Sequence, residues 1–230
     1  MILIACGLIR EANILRGLGV IAIPGGGDAK RLEAILDAQA STATMIVSAG
    51  IAGALDPGLK AGDVVIDLSP HSREGRNPES QAGSPATLGP HVRGGIWDGS
   101  LKAVLPHANF GSIIGQDRIA ATAAEKVALH AATGALAVDM ESHIAARVAA
   151  RHGLPFLAIR TISDSAQDTL PPAALVGMSP DGSMALGKVL TSLARRPGQL
   201  PALIKTGQNA EAAFRALRQV SQAIATLERL

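Results

Sequence analysis

Acidic residues follow two apolar segments in the middle of the chain. Glu141 comes shortly after the apolar run 135–138, and Asp164 follows the apolar run 156–162. The residues between the runs repeat their apolar side chains with helical spacing, and Gly153 stands where a helix would end. The pattern therefore predicts strand, helix and strand, with a carboxylate after each strand.

These two carboxylates are candidates for chemistry because the predicted fold brings them together. If the two strands are parallel, their carboxyl ends lie at one edge of the sheet and Glu141 and Asp164 face one crevice. Such a pair could transfer protons or bind hydroxyl groups. Each also has a structural alternative, since Glu141 could be a first-turn helix carboxylate and Asp164 an Asx-turn residue. Arg160, charged within an apolar strand, needs a partner or a water-filled site.

Two glycine-containing segments are weaker candidates for binding. The turn formed by Gly25, Gly26 and Gly27 precedes Asp28, a predicted helix N-cap, and its backbone N–H groups could receive an anion. The small residues 49–54, after the apolar run 45–48, would let a ligand approach the backbone closely. The chain has neither the glycine fingerprint of dinucleotide-binding proteins nor a P-loop.

Composition narrows the class of protein. A chain of 230 residues fits one α/β domain, and only four aromatic residues disfavour a module that stacks nucleic acid bases. The single Cys6 excludes an intramolecular disulfide and a cysteine-based zinc cluster. The first residues predict a strand and not a signal peptide, and no apolar run is long enough for a transmembrane helix. We therefore expect a cytoplasmic protein that needs no metal and binds no nucleic acid.

Charge is distributed unevenly along the chain. Residues 188–230 contain seven Lys or Arg and two Glu, whereas the first 187 residues contain 14 basic and 17 acidic residues. Between 210 and 227, apolar residues recur at alternating spacings of three and four. This pattern predicts a helix with one apolar seam, which would serve core packing, a subunit contact or, with its flanking arginines, a membrane surface.

Further elements and one long polar segment are predicted along the rest of the chain. Strands are expected at 1–6, 20–23, 64–68 and 110–115, and helices around 28–36 and 121–132. Residues 69–99 are rich in Gly, Pro, Ser and Arg and predict a mobile or functional loop. His71 and His91 lie in this loop without a partner at metal-ligand spacing.

Four segments, in order, resemble the superfamily of nucleoside phosphorylases and methylthioadenosine/S-adenosylhomocysteine nucleosidases. They are GLIREA at 7–12, SAGIAGALDPGLKAGDVV at 48–65, VDMES at 138–142 and RTISDSA at 160–166. The short length and the segments LPPAAL and RRPGQLPALI look more like the hopanoid-associated phosphorylase branch. The resemblance implies a single three-layer αβα domain over 1–230 with a mixed, twisted central sheet. Its α/β core would cover 1–169 and a helical carboxy-terminal part 170–230.

The resemblance also implies a reaction and residues for it. The family cleaves the N-glycosidic bond of purine nucleosides through an oxocarbenium-like state, which needs an acid for the leaving base and contacts to the ribose. By resemblance, Asp164 is the acid that protonates adenine, held by Ser163. Glu141 accepts hydrogen bonds from ribose hydroxyls, and Met140 packs on the sugar.

Two further residues complete the implied site. Glu11 corresponds to the glutamate that positions the attacking water in the nucleosidases, and Arg160 would orient the nucleophile or bind phosphate. The chain departs from the family where Gly50 is followed by Ile51, because relatives carry a serine that contacts the nucleophile or phosphate. Phosphate would then need the turn at 25–27. The position of the aromatic residue that stacks on the base falls near Arg118, so adenine recognition must differ.

The expected activity is release of adenine from a 5′-modified adenosine, adenosylhopane in hopanoid biosynthesis, by phosphorolysis or hydrolysis. No cofactor is expected, although phosphate is a candidate co-substrate. One alternative is a methylthioadenosine/S-adenosylhomocysteine nucleosidase or a purine nucleoside phosphorylase. Another is a non-catalytic module that binds nucleoside or lipid. The family implies a homo-oligomer with a dimer favoured. The basic tail is either a solvated helix face or a surface that contacts the inner face of the membrane.

Overall fold

The computed structural model describes residues 1–68, 73–74, 96–177, 179 and 181–227. Its strands are β1 (Ile2–Cys6), β2 (Val20–Pro24), β3 (Met45–Ala54), β4 (Val64–Asp67), β5 (Arg73–Glu74), β6 (Asn109–Phe110), β7 (Ile113–Gly115), β8 (Ala137–Asp139) and β9 (Phe156–Asp164). Its helices are α1 (Ile9–Leu15), α2 (Ala29–Ala40), α3 (Ile96–Val104), α4 (Ala123–Thr133), α5 (Ser142–Arg151), α6 (Pro172–Leu175), α7 (Leu186–Arg195) and α8 (Leu200–Leu227), with a 3₁₀ turn at Pro197–Gln199.

In the described part of the chain, the strands form one mixed sheet with helices on both faces. Seven strands follow the order β5-β7-β8-β3-β9-β4-β6, and β1 pairs with both β2 and β3. Apolar residues of α1, α3 and α8 form a core on one face, and those of α2 and α5 form a core on the other. This three-layer arrangement confirms the predicted fold class.

Strand β3 organises the sheet because it has different neighbours along its length. Residues 45–48 pair with β1, and Gly53 and Ala54 pair with β8 on the same side. On the other side β9 pairs with β3 from Ile46 to Gly53. β1 is parallel to β3 and β8 is antiparallel, so the carboxyl ends of β1 and β8 approach the same gap beside residues 49–52 of β3.

The predicted parallel pairing of the strands that precede Glu141 and Asp164 is wrong. β3 lies between β8 and β9, and it is antiparallel to β8 but parallel to β9. The sequence does not reveal this direction, because the neighbours of the three-residue β8 are distant in the chain. The antiparallel direction turns the residues after β8 back toward the middle of β9.

Two other element boundaries differ from expectation. The run 49–54 is part of β3, which continues well beyond the apolar run 45–48, since β9 pairs along almost its whole length. The predicted strand 110–115 is interrupted at residues 111–112, and its parts pair with β4 and β8 respectively. By contrast, the predicted N-cap is confirmed, because the Asp28 side chain accepts a hydrogen bond from the backbone N–H of Arg31 at 3.0 Å.

The apolar seam of the carboxy-terminal helix is part of the core. Ala213, Leu217 and Val220 are fully buried, and Ile224 is almost so. They belong to the cluster that contains α1 and the central strands. Core packing is thus the correct interpretation of this seam, and the alternative in which it lies on a membrane is not compatible with its burial.

The segments 69–72 and 75–95, with His71 and His91, lie outside the described residues. Of the predicted loop, the described residues are Arg73–Glu74, which form β5, and 96–99, which begin α3, so the loop ends earlier than predicted. Within the described ranges, no helix combines the length and apolar character required to cross a bilayer.

Candidate active site

Glu11 fills the gap between β1 and β8. It lies on α1, directly after β1, and is only 2% exposed. One carboxylate oxygen accepts hydrogen bonds from the backbone N–H groups of Gly7 and Leu8, each at 2.7 Å. The other accepts the backbone N–H of Ile51 at 2.7 Å, which has no strand partner on this side. The local fold thus holds the Glu11 carboxylate rigidly beside β3.

Arg160 occupies the centre of a buried polar network behind this gap. Its Nε donates to Asp139 at the end of β8, and its Nη2 donates to the Ser48 hydroxyl at 2.5 Å. The same Nη2 lies 3.6 Å from Glu141 Oε2. Nη1 is buried and has no hydrogen-bond partner among the described residues. Arg160 is fully buried, so its charge is balanced by these carboxylates and not by solvent.

Gly50 makes room for this network. It is paired with Arg160 across β3 and β9, so both residues belong to the same face of the sheet. A Cβ atom at Gly50 would lie 2.7 Å from Arg160 Nη1 and 2.7 Å from Glu11 Oε1. Any larger residue would separate the guanidinium from the carboxylate.

Burial changes the protonation of the two glutamates. It raises the pKa of Glu141 from 4.5 to about 8, with Arg160 opposing the change and Asp139 and Glu11 adding to it. Burial also raises the pKa of Glu11, against the backbone hydrogen bonds that favour its ionised form. The Glu141 carboxyl group can therefore carry its proton near neutral pH, and this side chain can donate as well as accept a hydrogen bond.

Asp164 is held by a second buried cation. Lys126 on α4 is fully buried, and its ammonium donates to Asp164 Oδ2. It also donates to the backbone carbonyls of Ser165 at 2.9 Å and Asp168 at 3.0 Å. The Ser163 hydroxyl lies 2.8 Å from the other Asp164 oxygen. Both oxygens of Asp164 are thus positioned by neighbouring side chains.

A cavity of about 810 Å³ connects these groups. Glu11, Glu141 and Asp164 line it, together with Met140 and Ser163. The carboxy-terminal helices and the segments before them contribute an apolar wall, which includes Leu170, Ala173, Ala174, Leu186, Val189 and Leu203. One cavity therefore combines these acidic side chains, together with Asp139 and Glu211, with a large apolar lining.

The structure brings together most of the predicted site. Ile51 lines the cavity, whereas Gly50 and Arg160 lie directly behind it. Arg118, noted near the predicted base position, also lines it, with a side chain that is 80% exposed and lies 3.6 Å from Glu125.

The predicted phosphate site at the glycine turn is not supported. The backbone N–H groups of Gly25 and Gly26 already donate to the carbonyls of Cys6 and Gly7, at 2.7 and 2.9 Å. None of Gly25, Gly26 and Gly27 lines the cavity. Arg160 does not line the cavity either, so its predicted contact with phosphate is not supported.

The sequence did not reveal that Lys126 contacts Asp164 or that Ser48 contacts Arg160. Lys126 is the single buried residue of α4. In the sequence it looks like any solvated lysine on the surface of a helix. Its partner Asp164 is 38 residues away, and only the folded sheet brings them together. Ser48 looks like an ordinary small residue of a buried strand.

The family comparison bears directly on this geometry. A family model described as the phosphorylase superfamily matches residues 20–195, which is more than three quarters of the chain. The chain belongs to the phosphorylase superfamily. The expected enzyme class, cleavage of a nucleoside N-glycosidic bond, is thereby confirmed. A comparison with curated proteins found no significant match.

Solved structures share the fold over nearly the whole chain. The methylthioadenosine/S-adenosylhomocysteine nucleosidase of Neisseria meningitidis, in complex with methylthio-immucillin-A, is 18% identical with a TM-score of 0.63, and 98% of each chain is covered. The corresponding nucleosidase of S. pneumoniae, with a transition-state inhibitor, is 18% identical with a TM-score of 0.58, covering 97% of this chain and 99% of that one. Futalosine hydrolase of Helicobacter pylori is 18% identical with a TM-score of 0.56, covering 96% and 97%. At this identity the similarity establishes the phosphorylase-superfamily fold.

Proposed function

We propose that this phosphorylase-superfamily protein releases adenine from an adenosine with a large apolar 5′ substituent, and that adenosylhopane is its substrate. The observation that carries the proposal is the cavity, which joins a group of buried carboxylates, Glu11, Glu141 and Asp164 among them, to an apolar wall built by the carboxy-terminal helices. A nucleoside end and a hydrocarbon end would each find matching surface there.

Asp164 is the proposed acid toward the leaving base. As the C1′–N9 bond breaks, its electron pair moves to the base, and a proton placed on N7 neutralises it. The proton originates on the Lys126 ammonium, which donates to Asp164 Oδ2: Asp164 passes a proton to N7 and Lys126 becomes the neutral amine, while Ser163 contacts the second Asp164 oxygen. The same two contacts would also orient the carboxyl group in a binding protein, so catalysis must be tested directly.

Glu141 and Met140 are proposed to hold the ribose. Both line the cavity next to the Arg160 network. Because its pKa is near neutrality, Glu141 can exchange hydrogen bonds with both ribose hydroxyls as positive charge develops on the sugar. Met140 would pack its thioether against the sugar ring.

Water is the favoured nucleophile, with Glu11 as its base. Among the described cavity residues, the basic side chains are Arg10 and Arg118, and each already faces a carboxylate, Glu211 and Glu125 respectively. Ile51 replaces the serine expected for phosphate contact. Glu11 would take one proton from water while the remaining hydroxide oxygen forms the bond to C1′.

The proposal is tested with adenosylhopane and methylthioadenosine, each incubated with the purified protein with and without phosphate, while free adenine is measured by chromatography. We expect release from adenosylhopane without phosphate and slower release from methylthioadenosine. A strict requirement for phosphate would overturn the role of water. Preference for methylthioadenosine would replace the substrate, and adenosine binding without any product would favour a non-catalytic module.

The remaining proposals concern assembly and location. The protein is proposed to act in the cytoplasm as one domain over 1–230, as a homo-oligomer, and at the periphery of the membrane that holds a lipid-linked substrate. Light scattering of the purified protein would determine its oligomeric state.

A further inference from the structure

Helix α7 and the start of α8 expose an unusual amount of apolar surface. None of the ten residues of α7 is buried. Leu186 and Leu190 are 63% and 65% exposed, and Leu200 and Ile204 are 44% and 52% exposed. We call these four residues, together with Met184, the α7–α8 surface. Within each helix the two side chains are four residues apart and therefore share a face. Exposed apolar side chains on one face mark an interaction site more often than scattered ones do.

Basic residues predominate in the segment that carries this surface. Residues 182–210 contain four basic residues and no Asp or Glu. Lys188, Arg195, Arg196 and Lys205 are all exposed, and of these Lys205 lies 2.7 Å from Asp168. A partner of this surface must therefore accept apolar side chains and carry negative charge.

The same surface is continuous with the candidate active site. Met184 and Leu186 are exposed to solvent and also line the cavity, and Val189 of the same helix lines it as well. The apolar wall of the cavity thus extends outward onto α7 through Met184 and Leu186.

We propose that the α7–α8 surface docks on an anionic lipid bilayer and brings the mouth of the cavity to the membrane. An amphipathic helix that exposes apolar side chains on one face and basic side chains on the other is suited to the boundary between headgroups and acyl chains. A second copy of the chain fits less well, because a two-fold contact places the same patch on both subunits and would oppose the basic residues to each other. The inference rests on this surface alone. It explains how a lipid-linked substrate of the proposed reaction would pass from the membrane into the cavity.

Vesicle co-sedimentation tests the docking. Vesicles of phosphatidylglycerol and phosphatidylcholine are compared with vesicles of phosphatidylcholine alone, using the full chain. The variant Leu190→Ser/Ile204→Ser removes two exposed apolar side chains that do not line the cavity. Its matched control is Leu18→Ser/Val127→Ser, at positions 97% and 61% exposed elsewhere on the protein.

We expect binding to the anionic vesicles and weaker binding to the neutral ones. The Leu190→Ser/Ile204→Ser variant should bind roughly tenfold or more weakly, while the control binds like the wild type. Removing a charge, as in Arg195→Gln or Arg196→Gln, should weaken binding about fivefold each at low salt. Adenine release from a water-soluble substrate should be unchanged in all of these variants.

Two results would overturn the inference. One is equal or absent binding of wild type and Leu190→Ser/Ile204→Ser to anionic vesicles. The other is a change of oligomeric state in that variant, measured by light scattering, without a change in vesicle binding, which would make the surface a subunit contact. Vesicle binding without cleavage of adenosylhopane would refute the proposed substrate and leave the docking surface standing.

Discussion

Replacing Lys126 by methionine should destabilise the protein strongly, because it removes one half of a buried ion pair. Lys126 is fully buried and Asp164 is 7% exposed. Methionine fills a similar volume but leaves the Asp164 carboxylate without its ammonium partner. The backbone carbonyls of Ser165 and Asp168 lose a donor as well.

The expected magnitude follows from this burial. Breaking a buried pair by removing one partner costs about 3–5 kcal/mol of the free energy of unfolding. For a chain of this size, each kcal/mol lowers the melting temperature by roughly 2–4 °C, so a decrease of about 6–20 °C is expected. Urea denaturation and a thermal melt, followed by circular dichroism, measure both quantities.

A double variant separates the ion pair from the packing of the side chain. Lys126→Met/Asp164→Asn removes both charges, so it should be more stable than Lys126→Met alone. Lys30→Met, at an exposed position of α2, is the matched control and should unfold like the wild type. If Lys126→Met also unfolds like the wild type, or the double variant is no more stable than the single one, the pair does not hold Asp164 as described.

Three further predictions follow from the same site. Because the pKa of Glu141 is raised, the folded state keeps a proton that the unfolded state releases. The stability that this group contributes is fully present below about pH 4.5 and is lost as pH rises through about 8. Glu141→Gln should therefore flatten the decline of the unfolding free energy with pH, measured by urea denaturation across that range. Gly50→Ala should abolish adenine release and cost about 1–3 kcal/mol of unfolding free energy, because the added methyl group meets Glu11, whereas Gly187→Ala, with open space around it, should have little effect. Leu203→Gln should raise the KM for a substrate with a long apolar 5′ substituent more than the KM for methylthioadenosine, and an equal effect on both would contradict the apolar wall.

The sequence predicted the layers of the fold because local patterns determine most of its elements. Alternating apolar runs, the Asp28 cap and Gly153 each act within a few residues, and all three lie where they were expected. Gly153 has a φ of 63°, a conformation that favours glycine. The direction of β8 was not predictable in this way, since it depends on pairing with β3, more than 80 residues earlier.

The candidate site was predictable where short motifs carry it. Glu11, Met140, Glu141, Ser163 and Asp164 all line one cavity. The residues that balance their charges were not found, because long-range contacts decide them. Lys126 contacts Asp164 from the helical layer beside the sheet. The Arg160 guanidinium was expected to face the cavity, but it pairs with neighbouring carboxylates and lies behind the cavity lining. The exposed apolar face of α7 was not predicted either, because helical spacing of apolar residues does not show whether the face packs on the core or meets solvent.

Release of free adenine by the wild type and by Asp164→Asn, measured on the same adenosyl substrate, tests the central claim most directly. Asparagine keeps the shape of the side chain but cannot transfer the proton to the leaving base. We expect adenine from the wild type and a rate lower by roughly 10²–10⁴-fold from Asp164→Asn, with a circular dichroism spectrum that remains native. An unchanged rate in a folded Asp164→Asn protein would contradict the assignment of the acid and with it the proposed mechanism.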